Sequence, residues 1–174
     1  MRNLESKTIK LRLVEVEDAD YILSLRRDKR YNSFISKVDD DVSAQKSWIE
    51  AYKINEKNQD EFYFIIERTD GTKCGTVRLY DFIKNSFCWG SWILDENKTR
   101  FSAIESAFLV YKFGFEVLGF EQSHFEVDKK NKKVISFHNK MGANLVKTDS
   151  INDYFVIRPQ DLEKNKSKFK KFIG

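Results

Sequence analysis

Apolar Ile9, Leu11 and Leu13 alternate with Lys10 and Arg12, which is the two-residue period of a half-buried strand. From about Asp18 the period lengthens to that of a helix, with Tyr21, Ile22 and Leu25 on one side and Arg26, Arg27 and Asp28 closing the segment. Residues 31–36 carry no clear period and read as a loop or a broken helix. A second helix is predicted over residues 43–58, striped by Trp48, Ile49 and Tyr52. Asp39, Asp40 and Asp41 precede it, where carboxylates favour the positive end of the helix dipole, although the same triplet could draw a cationic substrate.

Residues 61–68 form a nearly unbroken aromatic and β-branched run that ends at Thr69-Asp70-Gly71-Thr72, a hairpin signal. Residues 74–83 supply the partner strand, Asn85 marks the next turn, and residues 87–94 complete an antiparallel meander. A polar turn over 95–101 leads into a long helix to about Leu118, where Ile104, Ala107, Phe108, Tyr111, Phe115 and Leu118 recur at intervals of three and four. Val110 and Phe113 widen its apolar arc, so it packs centrally on the sheet, and Gly119 can stop it. Residues 123–128 alternate again, and strand–helix–strand in succession predicts a parallel pair with a right-handed crossover. A basic turn over 129–133 precedes a short helix through Met141, capped by Gly142. Residues 145–146 and 154–158 are the last strands, and the sole proline, Pro159, opens a lysine-rich terminal helix.

At 174 residues without repeats or linker composition, the chain is expected to form one domain spanning 1–174. Hydrophobic residues at 41% and aromatics at 14% exclude a disordered chain. The net charge of +4 is mild and resides largely in Lys164, Lys166, Lys168, Lys170 and Lys171, so nucleic acid is not expected as a partner, while an anionic ligand would suit the surface. If Phe82 and Cys88 face each other across the turn near Asn85, Cys74 lies too far from Cys88 to bridge it. Reduced thiols, no apolar run long enough for a membrane span and no leader-like start point to a soluble, cytoplasmic protein. Phe169, Phe172 and Ile173 could cover a second subunit, making a homodimer, or only the edge of the core.

A strand feeding a tight turn and a helix N-terminus aims free backbone N–H groups at one point, and Lys98 and Arg100 add two charges there. Such a point favours phosphate or pyrophosphate. The turn Lys98-Thr99-Arg100-Phe101-Ser102-Ala103 after Trp89-Gly90-Ser91-Trp92-Ile93, and the segment from Asn131 through Lys140-Met141-Gly142-Ala143, resemble the GNAT acyl-CoA N-acetyltransferases over nearly the whole chain. Within that family the chain looks most like the branch holding ribosomal-protein, polyamine and amino-sugar acetyltransferases. The chain departs from the family where it has Phe101, and often where it has Thr99, positions at which glycine is usual. Ser102 and Ala103 are small and leave their amides uncovered.

The resemblance implies an α/β (α+β) fold with a mixed, twisted sheet of about seven strands and four to five helices on both faces. It implies acetyl-CoA as co-substrate, no metal, and a small-molecule primary amine as acceptor, the best fit being a nucleotide-linked amino sugar. A protein N-terminus or a polyamine is the alternative acceptor, and a non-catalytic binding module is the alternative class. The backbone of Trp92, Ile93 and Leu94 would pair with the pantetheine arm, residues 98–103 would receive the pyrophosphate, and Asn131 and Phe137 would meet the cofactor from the other side. The family's tyrosine acid corresponds to His138, which is seven residues from Asn131 and on the same helix face; the alternative is a histidine exposed on the helix surface. Glu126 is the candidate base, or else an outward-facing strand carboxylate with a water chain as base in its place. Acceptor specificity is expected from Arg26, Arg27, Tyr31, Asn32 and Phe34, with Tyr80 on the neighbouring strand, since arginines and rings suit a nucleotide.

Overall fold

The structure is a computed structural model that describes residues 4–35, 37 and 41–173. Ser36, Asp39 and Asp40 of the sequence reading lie outside the described residues. The elements follow in the order β1 (Ile9–Leu13), α1 (Ala19–Arg27), α2 (Val42–Lys57), β2 (Phe62–Arg68), β3 (Lys73–Ile83) and β4 (Ser86–Leu94). Then come α3 (Ser102–Lys112), continued by a π-helical turn (Phe113–Val117), β5 (Gln122–Asp128), α4 (Lys132–Met141), β6 (Asn144–Thr148), β7 (Asn152–Ile157) and α5 (Pro159–Ile173). The seven strands form one sheet in the order β1-β2-β3-β4-β5-β7-β6. Neighbours are antiparallel except β4 and β5, which are parallel, as a helical crossover requires.

Strand β2 shows how the pattern becomes two layers. Phe62, Phe64 and Ile66 alternate onto one face, where Phe113 meets Phe62 and Phe64 edge-on at 4.9 and 5.2 Å. Tyr63 and Ile65 turn to the other face and pack with Ile22, Ile49 and Tyr52 of α1 and α2. Both faces are thus covered, which is why residues 61–68 read as continuous rather than alternating. The cap of α2 is Asp41, whose carboxylate accepts from the Ser43 amide at 3.0 Å. Gly142 ends α4 at φ +104°, and the amides of Gly142 and Ala143 return to the carbonyls of Asn139 and His138.

One expectation changes. Cys88 lies opposite Tyr80, not Phe82, because the β3–β4 register shifts between Tyr80 and Ile83, where Asp81 takes a left-handed backbone at φ +54°. Both thiols are nonetheless free and buried. The terminal aromatic residues cover the chain's own core edge, with Phe169 against Phe108 at 5.8 Å and Phe172 against Phe101 at 4.4 Å. Among the described residues, no helix is long and apolar enough to cross a membrane.

Candidate active site

The parallel strands β4 and β5 are paired only at Ser86 with Gln122 and Phe87 with Ser123. Beyond that point they part, leaving a cleft of 1160 Å³ between the second half of β4, β5, the start of α3 and one face of α4. A bulge shapes the β4 side. Thr76 pairs with Ile93 and Arg78 with Gly90, so Ser91 and Trp92 together oppose Val77. Ser91 sits at φ +46°, and its carbonyl accepts from the Thr76 hydroxyl at 3.2 Å. Trp92, Ile93 and Leu94 all line the cleft, and the Trp92 indole is fixed by donation to Ser106 at 3.2 Å and by the Phe137 ring at 5.1 Å.

The turn from Asp95 to Phe101 is built around a buried carboxylate. Asp95 accepts from the Tyr21 hydroxyl at 2.7 Å and from the Asn97 amide at 2.8 Å. The Ser102 hydroxyl accepts from the Thr99 amide at 2.8 Å, and a Thr8–Thr99 contact of 2.6 Å ties the turn to the buried Glu105, which also binds Thr8. Lys98, Thr99, Arg100 and Ala103 line the cleft. Phe101 and Ser102 do not: Ser102 is spent inside the turn, and Phe101 packs outward under Phe172, with the Arg100 guanidinium over its ring at 5.3 Å. The bulky side chain therefore leaves the bend open. The amides of Arg100, Phe101, Ala103 and Ile104 have no hydrogen-bond acceptor among the described residues. Four such donors beside two cations at a helix N-terminus fit a diphosphate.

On the opposite wall, Asn131 and His138 both face the cleft from α4, as their spacing predicted. Asn131 makes no capping bond with its side chain, which leaves the amide for a ligand. His138 is neither exposed nor charged: it is 5% accessible, wedged against Phe125 at 4.2 Å and Trp89 at 5.4 Å, and burial lowers its pKa to about 4. Its Nδ1 is buried without a hydrogen-bond partner among the described residues. A neutral imidazole can donate one N–H to a ligand, but at neutral pH it carries no imidazolium proton to give a thiolate.

Tyr31, Phe34 and Tyr80 line the cleft. Tyr31 donates to Glu96 at 2.9 Å, and the Tyr80 hydroxyl lies over Gly90, where a Cβ would approach within 2.8 Å. Arg26, Arg27 and Asn32 do not line the cleft. The cation there is Arg30, placed beyond the end of α1 and stacked on Tyr31 at 5.0 Å, and sequence periodicity gave no means of preferring it over its neighbours. Glu126 is exposed and faces the cleft from β5. His124, two residues earlier, lines it too, and strand alternation from Glu126 could have found it. Asp81, Cys88 and Lys133 were also missed; burial holds the Cys88 thiol up at about 11, which makes it unreactive.

The family model described as an acetyltransferase (GNAT) domain matches residues 8–144. The solved structure of apo FdhC, a nucleotide-linked sugar GNAT, is 51% identical, with a TM-score of 0.91 over 99% of this chain and 98% of that one. A ribosomal-protein-S5-alanine acetyltransferase from Vibrio fischeri is similar at 14% identity and TM-score 0.77, over 93% of this chain and 99% of that one. A spermidine N-acetyltransferase from Vibrio cholerae, in complex with CoA and spermine, aligns at 16% identity and TM-score 0.75, over 89% and 98%. The last two likenesses speak for the fold alone. No curated protein matches the sequence. With the family model covering most of the chain and the splayed strands, bulge and open helix N-terminus in place, the chain belongs to the GNAT family of N-acetyltransferases.

Proposed function

We propose that the protein transfers an acetyl group from acetyl-CoA to the primary amine of a nucleotide-linked amino sugar. The observation that carries the donor half is the set of unpaired amides at residues 100, 101, 103 and 104 beside Lys98 and Arg100. Those groups would hold the diphosphate of the donor, and the free β4 edge at Trp92, Ile93 and Leu94 would take the pantetheine amides as an added strand. Asn131 and Phe137 would border it from α4. Bound there, acetyl-CoA supplies an acyl carbon activated as a thioester. The protein's part is to orient the two reactants and exclude water, which is worth several orders of magnitude in rate.

The acceptor half rests on Arg30, Tyr31 and Phe34 at the mouth of the cleft, a cation and two rings suited to a nucleoside diphosphate, and on the 51% identity with a nucleotide-linked sugar GNAT. Glu126 supplies negative charge facing the amine, and His138 donates a hydrogen bond as a neutral imidazole rather than acting as a charged acid. An acceptor screen with CoA thiol release as readout tests this reading. Nucleotide-linked amino sugars should turn over with kcat/KM well above that for spermidine or an alanyl peptide, and the reverse ranking would overturn the acceptor assignment.

A further inference from the structure

At the vertex where β4 and β5 part, four side chains form a chain of hydrogen bonds running in one direction. Gln122 Nε2 donates to Ser86 Oγ at 3.4 Å, Ser86 Oγ meets His124 Nδ1, and His124 Nε2 meets Asp81 Oδ2 at 3.1 Å. One assignment satisfies every member with a neutral imidazole. Ser86 O–H donates to Nδ1, and Nε2–H donates to the carboxylate. Ser86 is buried and the imidazole half-buried, whereas the Asp81 side chain is 54% accessible and lines the cleft. The chain therefore begins inside the sheet and ends on a carboxylate presented to the cleft, its second oxygen without a hydrogen-bond partner among the described residues. Asp81 reaches that place only through a left-handed backbone at φ +54° in the β3 bulge, a conformation that aspartate tolerates better than most residues. Among the described residues its ion-pairing contact is the one with His124.

We infer that Asp81 anchors the amine of the acceptor, and that His124 and Ser86 are positioning residues that hold its carboxylate; the assignment rests on the transferase reading above. Carboxylate sign decides the ligand class. The donor end of the cleft is cationic, with Lys98, Arg100 and Lys133, whereas this wall presents Asp81 and Glu126 around Cys88 and Tyr80. An acceptor that arrives as an ammonium is attracted to this wall and not to the other. Its nitrogen donates to the free oxygen of Asp81 until it gives one proton to solvent. The neutral amine then attacks the thioester carbonyl, the C–S bond breaks, and the proton left on the attacking nitrogen passes to the thiolate.

Asp81→Asn keeps the size and exposure of the side chain and removes its charge. With dTDP-4-amino-4,6-dideoxyglucose as acceptor, KM should rise roughly tenfold to a hundredfold, the effect of losing a hydrogen bond to a charged group, with a smaller change in kcat. His124→Ala should raise KM by less, because Asp81 remains but swings free. Hydroxylamine, a nucleophile that is neutral at pH 7 and brings no charge to Asp81, should lose much less of its second-order rate constant than the amino sugar does in both variants. The thermal shift given by acetyl-CoA should be the same in all three proteins, which shows them folded and donor-competent. Equal losses with both nucleophiles, or an unchanged KM for the amino sugar in Asp81→Asn, would overturn the anchor. A wild type that ignores the amino sugar but acetylates spermidine would overturn the sugar reading alone, and the same KM comparison on spermidine then decides the anchor. A wild type that neither binds acetyl-CoA nor acetylates any of the three sinks both.

Discussion

His138 shows how one side chain changes its meaning with its surroundings. Its native pKa of about 4 lies below the value of ~6.5 for an unfolded histidine, so on acidification the unfolded chain takes up the proton first. The stability this residue allows is complete above pH 6.5 and falls as the pH drops toward 4, by ~3 kcal/mol at most. Urea denaturation at pH 7.5 and pH 4.5 should show that loss in the wild type and a smaller one in His138→Leu. Asp18 and Asp149, both held at about 2, titrate below this window. If turnover at pH 7 falls in His138→Ala, it should fall without shifting the pH profile near 6, because no imidazolium is being titrated there. The heptad spacing from Asn131 was enough to put His138 on the cleft face. Its burial was not legible, because Phe125 and Trp89 come from two strands that meet only in the fold.

At the scale of the element, the turn before α3 and the end of α3 carry separate predictions. Arg100 stands in the bend with its neighbours' amides unpaired, so Arg100→Ala should weaken acetyl-CoA binding about tenfold by calorimetry, and more at low salt than at high. The far end of α3 relaxes into a π turn at Phe113–Val117, and Gly114 lies there against the Phe87 ring, where a Cβ would come within 2.3 Å. Phe87 is itself fully buried between Phe115 and Phe120, so it has nowhere to move. Gly114→Ala, a helix-favouring change in isolation, should therefore cost ~1–3 kcal/mol, read as a lower midpoint in thermal unfolding. The sequence signalled a helix through residue 118 but not its π character. Apolar recurrence at three and four does not distinguish an α turn from a widened one when the cause is a ring on another strand. In the same way, the sequence does not record that Phe101 turns out of the bend, because its neighbour Phe172 comes from α5.

At the scale of the molecule, the cleft exists because β4 and β5 are bonded at one end and free at the other. A ligand that bridges the gap should stabilise the whole sheet. Saturating acetyl-CoA at ~100 times its Kd should add about 2.7 kcal/mol and raise the melting temperature accordingly, with the largest gain in amide-exchange protection at residues 89–94 and 124–128. The hydrophobic period along the chain determined the order and kind of nearly every element, the parallel crossover and the strand–turn–helix join between β4 and α3, because those depend on neighbours a few residues apart. Only the tertiary structure decided which side chains share the cleft: that Arg30 faces it and Arg26 and Arg27 do not, that Phe101 turns away, and that Ser86, His124 and Asp81 meet. Those outcomes depend on bulges at Ser91 and Asp81 and on strands far apart in sequence. A shift of one residue in a strand reverses the side its chains face, and nothing local in the sequence records it.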